Sequence, residues 1–535
     1  MKMVKSLILG SAAGLVAMSG AQAADLPVKA KAVEYVRICS LYGAGFYYIP
    51  GTDTCIKLSG YLRADVAVNT NSVNTGNSTT TGSPAGYGNR WTNGYTWRSR
   101  EDLDIDTRTA TEYGVVRTYF DATFTWDSDS YQANPNNGLG TTYSLIGQGG
   151  GTSALAQANN GAGGAVAKGT LGVYYAFIQF AGFTMGKAIS PFSAPWTAYP
   201  GNSSFDGLVG GGGTVTGVNQ FVYTAQFGNG VSGTIGVQDP TQYYQAGLLN
   251  FGLAGAGNAT GQNDYGGVVT PDVIGVLNVT QAWGMAQLSV AAHNNHAAYY
   301  ANAATASTAA LGPALISGHP DDKWGFAIQG ALSIANIPTG AGDTINVQGV
   351  YTNGATRYNI QDLAGAAGAW TTFAGSNAGP GALGSVGIGI APDAVFNAGG
   401  QQQLITTWGG RGAFNHNWNP YWSTSIYGAY ANVSYGSTTS AGSAASIFCS
   451  SLLATAALAP ANIVSCNPNY SISQLGTVTR WTPVKNLTFS GEFTYEHLAQ
   501  NMVGAIAQSG SYGSGLYTFA NQNTYQFLFR AQRNW

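Results

Sequence analysis

Charge is what this sequence has least of. Of its 535 residues only 21 are Lys or Arg and 23 Asp or Glu, or 8%, where a soluble globular domain carries roughly 25%. With aromatics at 12%, that scarcity excludes intrinsic disorder, which needs abundant charge and few aromatic rings, and argues against an ordinary cytosolic enzyme. No basic run occurs, and the formal net charge is −2. No cationic face is therefore available to neutralise phosphates, which excludes nucleic acid as a partner. Cysteine is scarce too, and none of the four stands in the short C-x-x-C spacing of a zinc site. Long apolar runs are also missing: residues 7–18 fall short of the about 20 residues that span a bilayer, and residues 447–464 are broken by Ser450, Ser451 and Pro460. A helical membrane protein is excluded. The structure that still satisfies every backbone group in lipid is a closed β-barrel.

The N-terminus has the form of a secretory signal. Lys2 and Lys5 precede an apolar stretch, and Ala21-Gln22-Ala23 is an A-x-A cleavage site. The expected organisation is a signal peptide at 1–23 and one barrel domain at 24–535. An exported chain meets an oxidising compartment, so Cys39, Cys55, Cys449 and Cys466 are expected to form two disulfides. Four cysteines allow three pairings; joining sequence neighbours closes the shortest loops.

Two textures alternate along the chain. The first has period two. Over residues 56–69 the positions Leu58, Leu62, Val66 and Val68 are apolar, while Lys57, Ser59, Arg63, Asp65 and Asn69 are polar. Next, Arg98, Arg100, Asp102, Asp104 and Asp106 share a face opposite Trp97, Leu103 and Ile105, with Glu101 as the exception. Then Arg117, Asp121, Thr123 and Thr125 oppose Phe120, Phe124 and Trp126. Charge concentrated on single faces of neighbouring strands implies water on that side and something apolar on the other. Fainter strands follow at 172–186, 221–227, 231–238, 273–279, 286–292, 324–334, 344–352, 404–414, 421–433, 474–481, 487–496 and 524–532. Several are joined by short turns such as Gly228-Asn229-Gly230 and Ala282-Trp283-Gly284.

The second texture is filler of Gly, Ala, Ser, Asn and Thr at 69–90, 134–168, 193–217, 243–266, 302–317, 362–399 and 436–469. It has no periodicity and few residues able to build a core, which predicts long loops. Short connections alternating with long ones are the asymmetry of an outer-membrane barrel, with short periplasmic turns and long extracellular loops. At about 10 residues per strand, the chain accommodates an all-β, transmembrane antiparallel barrel of some 16 strands, wide enough to enclose water.

Specific residues add a family resemblance. The block 24–55, with Glu34-Tyr35-Val36-Arg37-Ile38-Cys39-Ser40-Leu41-Tyr42-Gly43-Ala44-Gly45-Phe46, is similar to the start of the mature alphaproteobacterial (rhizobial and brucella-like) general porins. So are Asp106-Thr107-Arg108-Thr109-Ala110-Thr111-Glu112-Tyr113-Gly114, Ala176-Phe177-Ile178-Gln179-Phe180-Ala181-Gly182-Phe183, Trp481-Thr482-Pro483-Val484-Lys485-Asn486-Leu487 and the terminal aromatic strand. The resemblance implies a 16-stranded barrel that assembles as a homotrimer among outer-membrane lipid and lipopolysaccharide, passing small hydrophilic solutes and ions passively, with no cofactor. It also implies a loop folded into the barrel whose acids face a wall of arginines. The wall candidates are Arg63, Arg98, Arg100, Arg108 and Arg117; Asp65, Asp102, Asp104, Asp106 and Asp121 are acidic partners. The constriction loop should follow Gly186-Lys187-Ala188, where it offers one acid, Asp206. The family usually ends in Phe; this chain ends in Trp535.

Competing functions find little support. A substrate-specific channel would show rows of aromatics in the lumen. A barrel hydrolase would need a catalytic constellation, but no nucleophile elbow or metal-ligand motif is present, and Gly161-Ala162-Gly163-Gly164 lies in filler and not between a strand and a helix. A secreted adhesin would not need an aromatic carboxy-terminal strand. His293 and His296, three residues apart on a strand, point to opposite faces and do not make a metal pair.

Overall fold

The computed structural model describes residues 37–69, 95–127, 170–194, 196, 208–212, 217–241, 243–253, 261–301, 315–361, 371–375, 382, 384–454, 462–508 and 515–535. The proposed signal peptide at 1–23 lies outside them. The chain divides into two compact units, residues 1–56 and 57–535. In the first, Cys39 pairs with Cys55 around buried Phe46. Tyr47 and Tyr48 lie antiparallel to Ile56 and Cys55, and the Arg37 guanidinium sits 4.6 Å above the Tyr48 ring.

From Cys55 onward the chain forms a closed antiparallel barrel of 16 strands. The charged half begins with β1 (Cys55–Asn69), β2 (Thr96–Thr111), β3 (Gly114–Asp127), β4 (Thr170–Phe180) and β5 (Phe183–Ala188). There follow β6 (Val218–Gly228), β7 (Val231–Gln238), β8 (Asp272–Gln281), β9 (Gly284–Asn295), β10 (Lys323–Ala335) and β11 (Thr344–Asn353). The circuit ends with β12 (Thr406–Asn419), β13 (Trp422–Ser434), β14 (Tyr470–Val484), β15 (Leu487–Gln500) and β16 (Gln522–Asn534). Each strand pairs with its neighbours in sequence, and β16 pairs with β1 from Tyr61↔Asn534 to Asn69↔Gln526, so no edge is left unpaired.

The alternation read from the sequence holds. Along β10, Trp324, Phe326 and Ile328 are exposed outward while Gly325, Ala327, Gln329 and Ala331 are buried inward. Exposed aromatics gather at both rims: Tyr113, Trp283, Tyr421 and Trp422 near the short turns, and Trp97, Trp126, Trp324 and Trp408 towards the long loops. Two aromatic girdles flanking an apolar band are the outer surface of a barrel seated in lipid.

Two expectations need correction. Residues 172–186, read as one strand, are β4 and β5 joined at Ala181 and Gly182, whose φ values of 49° and 89° make a tight reversal. The filler is not coreless. Residues 243–266, 362–399 and 436–469 contribute to a four-stranded sheet (Gln262–Asn263, Leu248–Asn250, Ala394–Phe396, Gln403–Leu404) and a five-stranded one around Gly384–Gly389. They also supply the helix α1 (Ala444–Ala454). These pieces share a buried core of Leu249, Val386, Ile388, Phe448, Leu452, Ile472, Ile506 and others. The second disulfide, Cys449–Cys466, ties α1 to the strand Ile463–Ser465 region. α1 is far too short to cross a bilayer.

Candidate functional site

The inner face of the barrel is divided between two kinds of chemistry. On β1 to β3 and β16 it carries ionised groups. The register of the β2–β3 hairpin sets Arg98 opposite Asp127, Arg100 opposite Thr125, Asp104 opposite Asp121, Asp106 opposite Tyr119 and Arg108 opposite Arg117. β1 adds Arg63 and Asp65, registered with Gln532 and Arg530. Asp106 holds two arginines, Arg108 at 2.9 Å and Arg117 at 3.1 Å, and Asp65 holds Arg530 at 2.7 Å. Arg63 donates from Nε to Gln532 Oε1 at 2.9 Å, and Arg100 from Nε to Thr125 Oγ1 at 2.8 Å. Aromatic rings support the guanidinium groups: Arg63 lies 4.3 Å from the Tyr61 centroid, Arg117 5.0 Å from Tyr119, and Arg100 5.6 Å from Tyr174. Stacking of this kind leaves the N–H edges of an arginine free to point elsewhere.

Opposite this wall, residues 190–194 and 208–212 of the segment after β5 lie inside the barrel. Their backbone is held by side chains from five strands. Gln287 Nε2 donates to the Ser193 carbonyl at 2.7 Å, Gln329 Nε2 to Phe192 O at 2.8 Å, and Gln348 Nε2 to Gly210 O at 3.2 Å. Arg411 donates to Leu208 O at 3.0 Å and Gly212 O at 2.7 Å, and the Val209 amide donates to Gln474 Oε1 at 2.9 Å. The approach is close: a Cβ on Gly210, whose φ is +89°, would sit 2.4 Å from the Gly410 carbonyl carbon. Glycine is required there both by the backbone conformation and by the contact.

Behind the segment, Phe192, Tyr244 and Tyr358 pack together, with centroids 4.6 Å apart for Phe192–Tyr358 and 4.3 Å for Tyr244–Tyr358, against Ile274, Val276 and Ala327 of the wall. A fully buried cluster fastens this packing. His293 meets Asp272 at 2.7 Å, Tyr358 donates to Asp272, and Asp393 accepts from the amides of Ala246 at 2.7 Å and Thr356 at 2.6 Å. His296 turns away to Asp322, 2.9 Å off, so the two histidines have separate partners.

The ten wall residues named from the sequence are thus brought onto one continuous inner face, but acids and arginines interleave there instead of confronting each other across the lumen. The described residues of the folded-in segment carry no charge, and Asp206 lies outside the described residues. Sequence reasoning missed Arg530, Arg480 and Arg411, together with the glutamines that anchor the segment. Gln287, Gln329, Gln348 and Gln474 are each a buried amide at an inward strand position, but other inward polar residues such as His293, Asn295 and Asn346 kept them from standing out.

A sequence profile of the family described as "Porin subfamily" matches residues 25–526. The porin Omp2b of Brucella suis biovar 1 is 34% identical over 285 residues, 52% of this chain and 63% of that protein. Omp2b of Brucella melitensis biotype 1 is 33% identical over the same span. The match therefore covers less than two thirds of the length of these relatives. Among solved structures, the outer membrane channel DcaP of Acinetobacter baumannii is similar with a TM-score of 0.51 at 13% identity, covering 91% of this chain and 99% of that one, a likeness of fold.

Proposed function

The chain belongs to the porin subfamily, and from that membership we propose that it forms a water-filled channel in the bacterial outer membrane, through which small hydrophilic solutes and ions diffuse passively. The observation that carries the reading is the ionised inner face of β1 to β3 and β16, set across the barrel from a backbone segment pinned by amides. Ionised side chains in a membrane-spanning wall need water beside them. The path for solutes runs along that wall, since folded chain occupies the half near β8 to β12. Arg63, Arg98, Arg100, Arg108 and Arg117, with Asp65, Asp102, Asp104, Asp106 and Asp121, line it. Interleaved charges of both signs favour polar solutes over apolar ones without binding any tightly, and width sets the size limit.

On this reading the protein is not an enzyme. It works as a homotrimer, its outward face meeting outer-membrane lipid and lipopolysaccharide, after removal of a signal peptide at 1–23. The test is single-channel conductance of the folded protein in a planar bilayer, with ion selectivity read alongside. Large steps in groups of three with weak selectivity support the proposal; silence from a folded barrel overturns it. One observation favours a second reading, a substrate-specific channel: Tyr61, Tyr119 and Tyr174 stack on the wall arginines. Saturation of conductance by one planar anionic solute at low concentration would select it over the general pore.

A further inference from the structure

We propose that Asp102, Asp104 and Asp121 form a binding site for a divalent hard cation, calcium foremost, on the inner face of the β2–β3 hairpin. Three carboxylate oxygens, one from each residue, lie within 4.8 Å of one another. The register explains the convergence. Asp104 and Asp121 are direct cross-strand partners, and Asp102, two positions along β2, shares their face.

The contrast with the other acids of the same wall is what points to a ligand. Asp65 and Asp106 each have an arginine within 3.1 Å, whereas among the described residues none of the three clustered acids has a cation within ion-pair distance. The two arginines that could have served turn to neutral acceptors, Arg63 to Gln532 and Arg100 to Thr125. Asp121 is only 6% exposed, and its Oδ1 is buried with no hydrogen-bond partner. An orphaned carboxylate oxygen beside two further carboxylates is costly in the absence of a positive charge.

The donor set suits calcium. All donors are oxygens, and calcium accepts six to eight of them in irregular geometry, so three carboxylates and water complete a shell. Outer-shell support is present as well: the Tyr119 hydroxyl donates to Asp104 Oδ1 at 2.7 Å and fixes that carboxylate. A bound divalent ion would place two positive charges on a face that already holds Arg63 and Arg100, and so would turn an evenly mixed wall towards anions. That consequence rests on the channel reading; the site itself does not.

Terbium is the probe, since it occupies calcium sites and is excited through a neighbouring tyrosine, here Tyr119. Full-length folded protein in detergent is titrated with terbium and then with calcium, alongside Asp121→Asn and Asp104→Asn, with Asp322→Asn as a carboxylate removed elsewhere. The expected result is tyrosine-sensitised emission that calcium displaces, with apparent affinity lowered roughly tenfold or more in the first two variants and unchanged in the third. Retained heat-modifiable mobility on a gel shows that each variant is folded. Should one variant not fold, the other and the wild-type titration decide. Absence of calcium-displaceable emission in the wild type, or wild-type affinity in a folded Asp121→Asn or Asp104→Asn barrel, overturns the site. In bilayers, calcium is expected to move the reversal potential towards anions in the wild type and in Asp322→Asn, but not in Asp121→Asn or Asp104→Asn. Displaceable emission without that movement leaves the site standing and counts against the channel reading.

Discussion

Removing Arg411 tests whether the folded-in segment is held by the contacts described. The residue is 5% exposed, and its guanidinium bridges two carbonyls of the segment, Leu208 O and Gly212 O. A hydrogen bond from a charged donor contributes about 1.5–3 kcal/mol, so the pair is worth roughly 3–6 kcal/mol before the freed carbonyls regain water. If the segment borders an aqueous lumen as proposed, rehydration recovers much of this, and a net loss of about 2 kcal/mol is expected for Arg411→Ala. That is roughly a 30-fold increase in the population of the detached segment. Complete release does not follow, since Gln348, Gln474 and the Asn359 carbonyl still hold Val209 to Gly211. The assay is open-channel noise and conductance in a planar bilayer: Arg411→Ala should show added transitions to a larger conductance. Arg411→Lys, which keeps the charge but cannot bridge both carbonyls in one plane, should fall between. A folded Arg411→Ala barrel with wild-type noise and conductance would refute the argument.

Four further outcomes are expected. Reversing charge at the wall, as in Arg100→Glu or Arg117→Glu, should move the reversal potential towards cations, whereas Lys485→Glu in a short turn should not; equal effects from all three would remove any special role for the wall. Removing the Cys449–Cys466 link, which closes a separation of 17 residues, should loosen α1 locally by about 3 kcal/mol. Limited proteolysis should then cut within 436–469 while the barrel keeps its heat-modifiable mobility. At the turn before β11, burial pushes the Asp343 carboxyl up, but the Asn417 amide, His416 and Thr339 outweigh it and hold the pKa at about 2. A carboxyl held lower in the folded chain than its unfolded value of 3.8 adds stability above that value and loses it as pH falls towards 2. Acid unfolding of Asp343→Asn should therefore differ from wild type above about pH 4 and converge with it near pH 2; a constant gap would contradict this. Finally, the Trp535 indole N–H donates to Glu101 at 3.2 Å, so Trp535→Phe should cost about 0.5–1 kcal/mol in urea unfolding, and a neutral result would show that the bond contributes nothing.

The barrel was legible because lipid and water impose opposite demands on alternate residues, and that demand is local. Every strand with a charge or a large apolar group on each face, such as 98–106 or 116–127, announced its orientation in the sequence. What failed was non-local or small. The reversal at Ala181-Gly182 hides because Ala is not a turn residue, and its φ of 49° is imposed by the pairing on either side. The loop core hides because Val386, Phe448 and Ile506 come from three separated stretches, and no one of them encodes its contact with the others. The anchoring glutamines hide because their partners are backbone groups, three carbonyls and the Val209 amide, 94 to 265 residues away. A backbone group leaves no mark in a sequence.

Scarcity of charge makes each charge informative about water. An uncharged small residue is tolerated on either face of a barrel strand, so most of this wall is silent on orientation. An ionised residue is tolerated only where water or a partner meets it. The acids and arginines of β1 to β3 and β16 cluster on one inner arc, while on the arc of β9 to β12 Gln287, Gln329, Gln348 and Arg411 bind folded chain. Glu101, the acid on the outward face of β2, obeys the same rule, for it lies against the indole N–H of the carboxy-terminal residue. Phe in place of Trp535 would leave that carboxylate without the donor. Glu101 and Trp535 are thus two halves of one contact, and Glu101→Gln should make Trp535→Phe less costly than it is in the wild-type background.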